Sequence, residues 1–187
     1  RDLKSFIISG MPASGKTSVA IKVAKKYGMN YLCGGDILKE IAISKGYHPS
    51  GNDWWDTENG MKFLEERKKS FRFDREVDDK LVKLIEKGGV VVTSYTAPWI
   101  STEGLKIWLK ASPNIRSKRL ASRDKIPYIE AKKIVKKRDT ENIAIYKKIY
   151  GFNIDKDLSV FHLVLDTNNL SKNQVIEIVF KACQHFI

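Results

Sequence analysis

The 187-residue chain carries 34 Lys and Arg against 22 Asp and Glu, a formal charge of +12, with 42% hydrophobic residues and two cysteines. That length and apolar content suit one domain with one substantial core and leave too little for a second independent one. Cys33 and Cys183 lie far apart with no CxxC partner and few histidines, which argues against a zinc site or disulfide framework. No run reaches the ~20 apolar residues of a membrane span, and the N-terminus lacks a signal-like apolar region, so a cytoplasmic protein without a membrane partner is expected.

Apolar runs alternate with helical patterns, the signature of a parallel sheet built from strand, helix, strand units. Phe6 to Ser9 predicts a first strand, followed by the glycine-rich turn SGMPASGKTS. Val19, Ala20, Val23, Ala24 and Tyr27 then recur at helical spacing up to a stop at Gly28. Asn30 to Cys33 predicts a short second strand running into Gly34, Gly35 and Asp36, with a helix from Asp36 to Ser44. The segment KGYHPSGNDWWDTENG concentrates Gly, Pro, Asn and Asp around Trp54 and Trp55, a loop of a length that compact domains use for function or leave disordered. One helical pattern from Met61 to Glu86, with a buried stripe at Val77, Leu81, Leu84 and Ile85, ends at Gly88 and Gly89. Val90 to Val92 predicts the clearest buried strand and Leu105 to Leu109 the next, with TSYTAPWISTEG between them. Two helices fill Pro113 to Tyr150 with a break near Pro127, Phe161 to Leu165 predicts the last strand, and Ser171 starts a helix whose Val175, Ile178, Val179 and Ala182 face the core.

Gly10, Met11, Pro12, Ala13, Ser14, Gly15, Lys16 and Thr17 fit the pattern GxxxxGK followed by Ser or Thr without exception, between a strand and an amphipathic helix. Glycines let backbone N–H groups turn toward phosphates, and the helix beginning near Ser18 adds its positive end. Lys16 neutralises the outer phosphates and Thr17 offers a hydroxyl to Mg²⁺. A site for ATP and Mg²⁺ is therefore expected. Against a motor, the third strand ends in Thr93 and Ser94 rather than in an acid; against a GTP switch, there is no NKxD-like run. Residues 110–150 hold 13 Lys or Arg and only four acids, and so contain nine of the twelve net positive charges. The bland account of most of those lysines is a solvated helical face, but the surplus implies an anionic partner.

GMPASGKTSVA, CGGDILKEIA, LKIWLKA, RDKIPYIEA and YKKIYG together cover nearly the whole chain. In these runs the sequence resembles the nucleoside monophosphate kinase superfamily, most closely the archaeal type of cytidylate kinase. The resemblance implies an α/β fold, a three-layer P-loop kinase with a parallel sheet of about five strands. It implies a core of residues 1–35, 76–115 and 151–187, an acceptor-binding region at 36–75 and a helical lid at 116–150. It also makes Arg119 and Arg123 lid arginines that close over the ATP and Arg138 a further contact with the phosphates, roles that suit a planar guanidinium. Thr167 to Leu170 would edge the adenine pocket.

The acceptor side departs from that pattern. Lys39 stands where GGDxxR would place arginine, Thr93, Ser94 and Tyr95 replace an EGR-like run, and Ile145 lies where the lid would carry another arginine. Lys for Arg is not conservative at a bidentate phosphate site, which predicts a changed acceptor. Trp54 and Trp55 would wall its pocket, with His48, Asn52 or Asp53 supplying polar contacts, and Tyr95 and Trp99 would line it because ligands gather at the carboxyl ends of parallel strands. Asp36 either takes a proton from an acceptor hydroxyl or caps the following helix. The expectation is a kinase for a small anionic, already phosphorylated, non-nucleotide alcohol. Phosphorylated mevalonate is one candidate, as mevalonate 3-phosphate 5-kinase activity, because an archaeal isoprenoid route uses a kinase of this general kind; no residue identifies it. The alternatives are cytidylate (CMP or dCMP) kinase and, from another class, a nucleic-acid-binding NTPase.

Overall fold

The computed structural model describes residues 4–49 and 58–187. Five strands, β1 (Phe6–Ser9), β2 (Asn30–Cys33), β3 (Val90–Thr93), β4 (Leu105–Lys110) and β5 (Leu163–Asp166), form one sheet in the order β2-β3-β1-β4-β5. Every pairing is parallel, with Phe6 opposite both Val91 and Leu105. Side chains alternate across a strand, so both faces of so apolar a sheet need cover. Phe6 and Ile8 pack with Val91, Ile107 and Leu109 against α1 (Lys16–Tyr27) and α8 (Lys172–Gln184). Ile7, Val90 and Val92 face the opposite way, toward α2 (Gly34–Ser44), α3 (Glu58–Lys69), α4 (Arg72–Lys87) and the short α5 (Ala97–Ile100). The result is the expected three-layer arrangement.

Sequence periodicity locates most of these elements to within two residues. The single long helix expected from Met61 to Glu86 is instead two, α3 and α4, parted at Ser70 and Phe71. There the Ser70 hydroxyl accepts from the Arg72 backbone N–H at 3.1 Å, offering that N–H a partner outside a helix. On α8 the fully covered positions are Val175, Ile176, Val179 and Cys183, whereas Ile178 and Ala182 are half-buried. β5 also begins two residues later than expected.

The basic segment forms a hairpin of two helices, α6 (Pro113–Asp124) and α7 (Tyr128–Tyr150). Lys125 closes α6 in a left-handed conformation at φ 54°, and Pro127 is the N-cap of α7, so the break falls where the proline predicts it. Leu120, Ala131 and Val135 fill the seam. At its root Arg116, only 3% exposed, forms a two-pronged pair with Asp139 at 2.8 and 2.6 Å and donates to the carbonyls of Ala111 at 3.1 Å and Pro12 at 3.0 Å. Removing one partner of a buried pair leaves the other uncompensated. Arg116→Ala is expected to lower the unfolding free energy by about 3 kcal/mol, measured by urea denaturation; an Arg116→Lys variant, which cannot form the fork, should recover only part of it.

Candidate active site

The turn between β1 and α1 lies at the carboxyl end of the sheet. Gly10 sits so tightly that a Cβ there would approach Ser14 Oγ to 2.5 Å and the Leu109 carbonyl to 2.7 Å, so only glycine fits. Gly15, at φ 91°, is the N-cap of α1, and Ala13 also holds a positive φ of 62°. For a residue with a side chain that conformation is uncommon and is kept where the surroundings enforce it. The Ser14 hydroxyl is buried and has no protein partner among the described residues. A polar atom left this way at the floor of an anion cradle is fitted by a phosphate oxygen.

Lys16 is half-buried; its Nζ donates at 3.4 Å to both the Met11 carbonyl and the Tyr95 phenol oxygen and lies 4.5 Å from the Tyr95 ring centre. Burial, then the nearby charges of Arg138 and Arg116, push the ammonium down to about 7, against the opposing pull of Asp139. Burial likewise raises the Tyr95 phenol.

Around this point a cleft of about 810 Å³ is lined by Ala13 to Val19, by Arg119 and Arg123 of α6, by Arg138 of α7, and by Leu170, Lys172 and Val175. Arg119 donates to the Thr167 hydroxyl at 3.0 Å and the Thr167 carbonyl at 2.8 Å, which ties α6 to the chain leaving β5. Arg123 is exposed and pairs with Asp124 at 2.6 Å. The structure thus gathers Lys16, Thr17, Ser18 and the three expected arginines at one cleft, with Leu170 at its edge.

A second cleft of about 300 Å³ adjoins the first and shares Lys16 and Tyr95 with it. Its other walls include Cys33, Gly34 and Gly35 where β2 passes into α2, Thr93 to Thr96 from the end of β3 onward, Asp74 and Asp78 of α4, and Tyr146 of α7. Tyr95 and Tyr146 pack ring to ring at 5.9 Å. Asp78 is 6% exposed; it accepts from the Thr96 hydroxyl at 2.6 Å and from the Tyr150 hydroxyl. Burial raises its carboxyl above the ordinary range, opposed by those two hydroxyls.

Several expected acceptor residues lie elsewhere. Asp36 is exposed and lines neither cleft; its carboxylate accepts from the Cys33 backbone N–H at 3.3 Å and thiol at 3.1 Å, closing the first turn of α2 as a capping box. Lys39 is half-buried on α2 and also lines neither cleft. Trp99 packs among Trp108, Phe152 and Phe161, stacked on Phe152 at 4.8 Å, with its indole N–H donating to the Asp157 carbonyl at 2.9 Å. His48 is exposed, and Asn52, Asp53, Trp54 and Trp55 lie outside the described residues. Sequence reasoning missed Asp78, Tyr146 and Arg116. Their only sequence signal is a charged or phenolic residue beside an apolar helical stripe.

A parallel five-stranded sheet with this loop and two adjoining clefts defines a P-loop kinase, an ATP-dependent phosphotransferase. The chain belongs to the Cytidylate kinase-like family, whose model matches residues 7–169. It is 36% identical over 177 residues to a cytidylate kinase of Saccharolobus islandicus, covering 93% of this chain and 87% of that one. It is 31% identical over 180 residues to the cytidylate kinase of Methanocaldococcus jannaschii, covering 94% of each. Among solved structures, shikimate kinase from Acinetobacter baumannii in complex with shikimate shares the fold, with TM-score 0.57 and 15% identity over 98% of this chain and 94% of that one. No helix among the described residues is long and apolar enough to cross a membrane.

The depressed Lys16 gives the donor cleft a pH signature. The side chain is largely neutral above pH 7 in the free protein and regains its proton beside phosphates, so binding takes up a proton there. ATP affinity should fall by up to about tenfold per pH unit above 7, with proton uptake read by calorimetry in buffers of different ionisation heat. In Arg138→Ala the onset should move to higher pH, since a neighbouring positive charge is gone.

Proposed function

We propose that the chain transfers the γ-phosphate of ATP to a pyrimidine nucleoside monophosphate, cytidylate foremost. The observation that carries this is the shared wall of the two clefts. Lys16 and Tyr95 belong to both, so a terminal phosphate held at Lys16 faces whatever occupies the smaller cleft. The names of the archaeal relatives support a cytidylate acceptor.

Transfer breaks the bond between the γ-phosphorus and the β–γ bridging oxygen and forms one to an acceptor phosphate oxygen, releasing ADP and cytidine diphosphate. A phosphate oxygen needs no base, which accords with Asp36 being engaged in a helix cap. Lys16 and the arginines carry the charge that spreads over the moving group. Mg²⁺, bound with the nucleotide, would screen the phosphates. The exposed Thr17 hydroxyl, beside that of Tyr31, which itself bonds Thr93 Oγ1 at 2.9 Å, fits one protein contact to it. The described residues hold no cluster of three or more His, Cys, Asp or Glu that could bind a metal. The α6–α7 hairpin acts as the lid, closing over the donor and excluding water.

The phosphorylated-alcohol reading loses ground on charge. Mevalonate 3-phosphate brings both a phosphate and a carboxylate, whereas Asp74 and Asp78 line the smaller cleft and Lys16 is the one cation among its described lining residues. The basic face of the hairpin leaves room for a polyanion, but nothing in the relatives' names supports a nucleic-acid partner.

ATP consumption with Mg²⁺ across CMP, dCMP, UMP, AMP, dTMP and mevalonate 3-phosphate decides the acceptor. CMP or dCMP is expected to turn over fastest, and Lys16→Ala to lower kcat/KM by roughly 10²–10³-fold. Turnover of a non-nucleotide alcohol alone would overturn the proposal.

A further inference from the structure

The α4 wall of the smaller cleft is acidic. Asp74 and Asp78 stand one helical turn apart on α4 and both line it, and a carboxylate only accepts. Around Asp78 the nearest donors are already committed. Thr96 and Tyr150 give their hydroxyl protons to its two oxygens. Thr96 is itself fixed, because Ser94 Oγ accepts from the backbone N–H groups of Thr96 at 3.1 Å and Ala97 at 3.0 Å. A carboxylate has about four lone-pair positions, so two remain after those bonds, on a group whose orientation is set before any ligand arrives. Lys16, the one cation among the cleft's described lining residues, stands at the end shared with the donor. The α4 wall therefore offers lone pairs, and the P-loop end offers positive charge.

We propose that Asp78, seconded by Asp74, is the specificity-determining residue of the acceptor cleft, selecting a ring that presents an amino group and so cytosine over uracil. The inference rests on the nucleoside monophosphate reading above and adds which base is read and by what. Cytosine carries a two-hydrogen donor at N4, which a carboxylate accepts; uracil carries an acceptor oxygen at the same place. Uracil keeps a donor at N3, but two carbonyl oxygens flank it, and a fixed carboxylate repels both. Placing the base at α4 also points the nucleotide's phosphate away from the two acids and toward Lys16, where transfer takes place.

The test compares kcat/KM for CMP and UMP in the unaltered protein, Asp78→Asn, Asp78→Glu and Asp74→Asn, with ATP binding measured on each as a check that the donor cleft is intact. Asparagine keeps the size of the side chain and can donate to the uracil oxygen. Asp78→Asn is therefore expected to lower the CMP-to-UMP ratio by roughly 10- to 100-fold, by losing CMP turnover and gaining UMP turnover. Asp78→Glu should lose activity while keeping its preference for CMP. A merely structural role would depress both nucleotides together and leave the ratio where it was, which overturns the inference without touching the kinase assignment. If Asp78→Asn does not fold, Asp74→Asn decides: a fall in the ratio supports the inference and an unchanged ratio overturns it. An unaltered protein inert toward CMP overturns the inference together with the proposed function, a result separable from the others because no variant is needed to see it.

Discussion

One guanidinium holds the working parts in register. Arg116 is buried at the point where the P-loop, the end of β4 and α7 meet, and it bonds Pro12, Ala111 and Asp139 at once. A charge in such a place is tolerated only with its partners in hand, so the carbonyls and the carboxylate are constrained as firmly as the arginine. Because the P-loop carbonyl and α7 share this one group, the phosphate loop and the helix hairpin cannot settle independently. The same charge also helps keep Lys16 depressed, so the residue that organises the site tunes the one that grips the phosphate.

The helix α7 carries that organisation from one cleft to the other. Tyr146 and Tyr150 lie one turn apart and share a face, while Arg138 sits two turns before Tyr146 on a neighbouring one. Arg138 reaches the larger cleft, Tyr146 lines the smaller, and Tyr150 is fastened to Asp78. One helix thus contributes walls to both clefts. Gly151, at φ 80°, follows as the left-handed cap and gives the helix a defined end next to that fastening.

What could be read from the sequence follows the range of the interactions involved. The phosphate loop was legible because its chemistry is local: consecutive residues, a strand before and a helix after. Arg119, Arg123 and Arg138 were singled out through family resemblance, and all three line the larger cleft. Of the smaller cleft Tyr95 was singled out but most of the lining was not, because its residues are joined over long separations. Asp78 sits one place past Val77 on a helix whose pattern reads as an ordinary amphipathic stripe, and its burial depends on Thr96 and Tyr150, 18 and 72 residues away. Trp99 follows a strand end, where ligands gather, yet the short α5 turns it into an aromatic cluster, a direction no spacing rule supplies. Asp36 invited a catalytic reading, but a carboxylate at the third position of a helix satisfies the N-cap backbone, and that local bond decides its direction.

The sheet order bears on how the chain comes to exist at all. β1 and β2 are made before the other strands, yet they do not touch; β1 waits for β3 and β4, with Phe6 opposite Val91 and Leu105. A polypeptide emerging at about 5–20 residues per second therefore exposes the apolar Phe6 to Ile8 strand for seconds before any neighbour arrives. The nucleotide loop hangs from that strand, and its walls at Leu109 and Tyr95 come from segments made later. Until β3 and β4 follow, the one local cover of β1 is the helix after it, and the finished fold bears no mark of that interval.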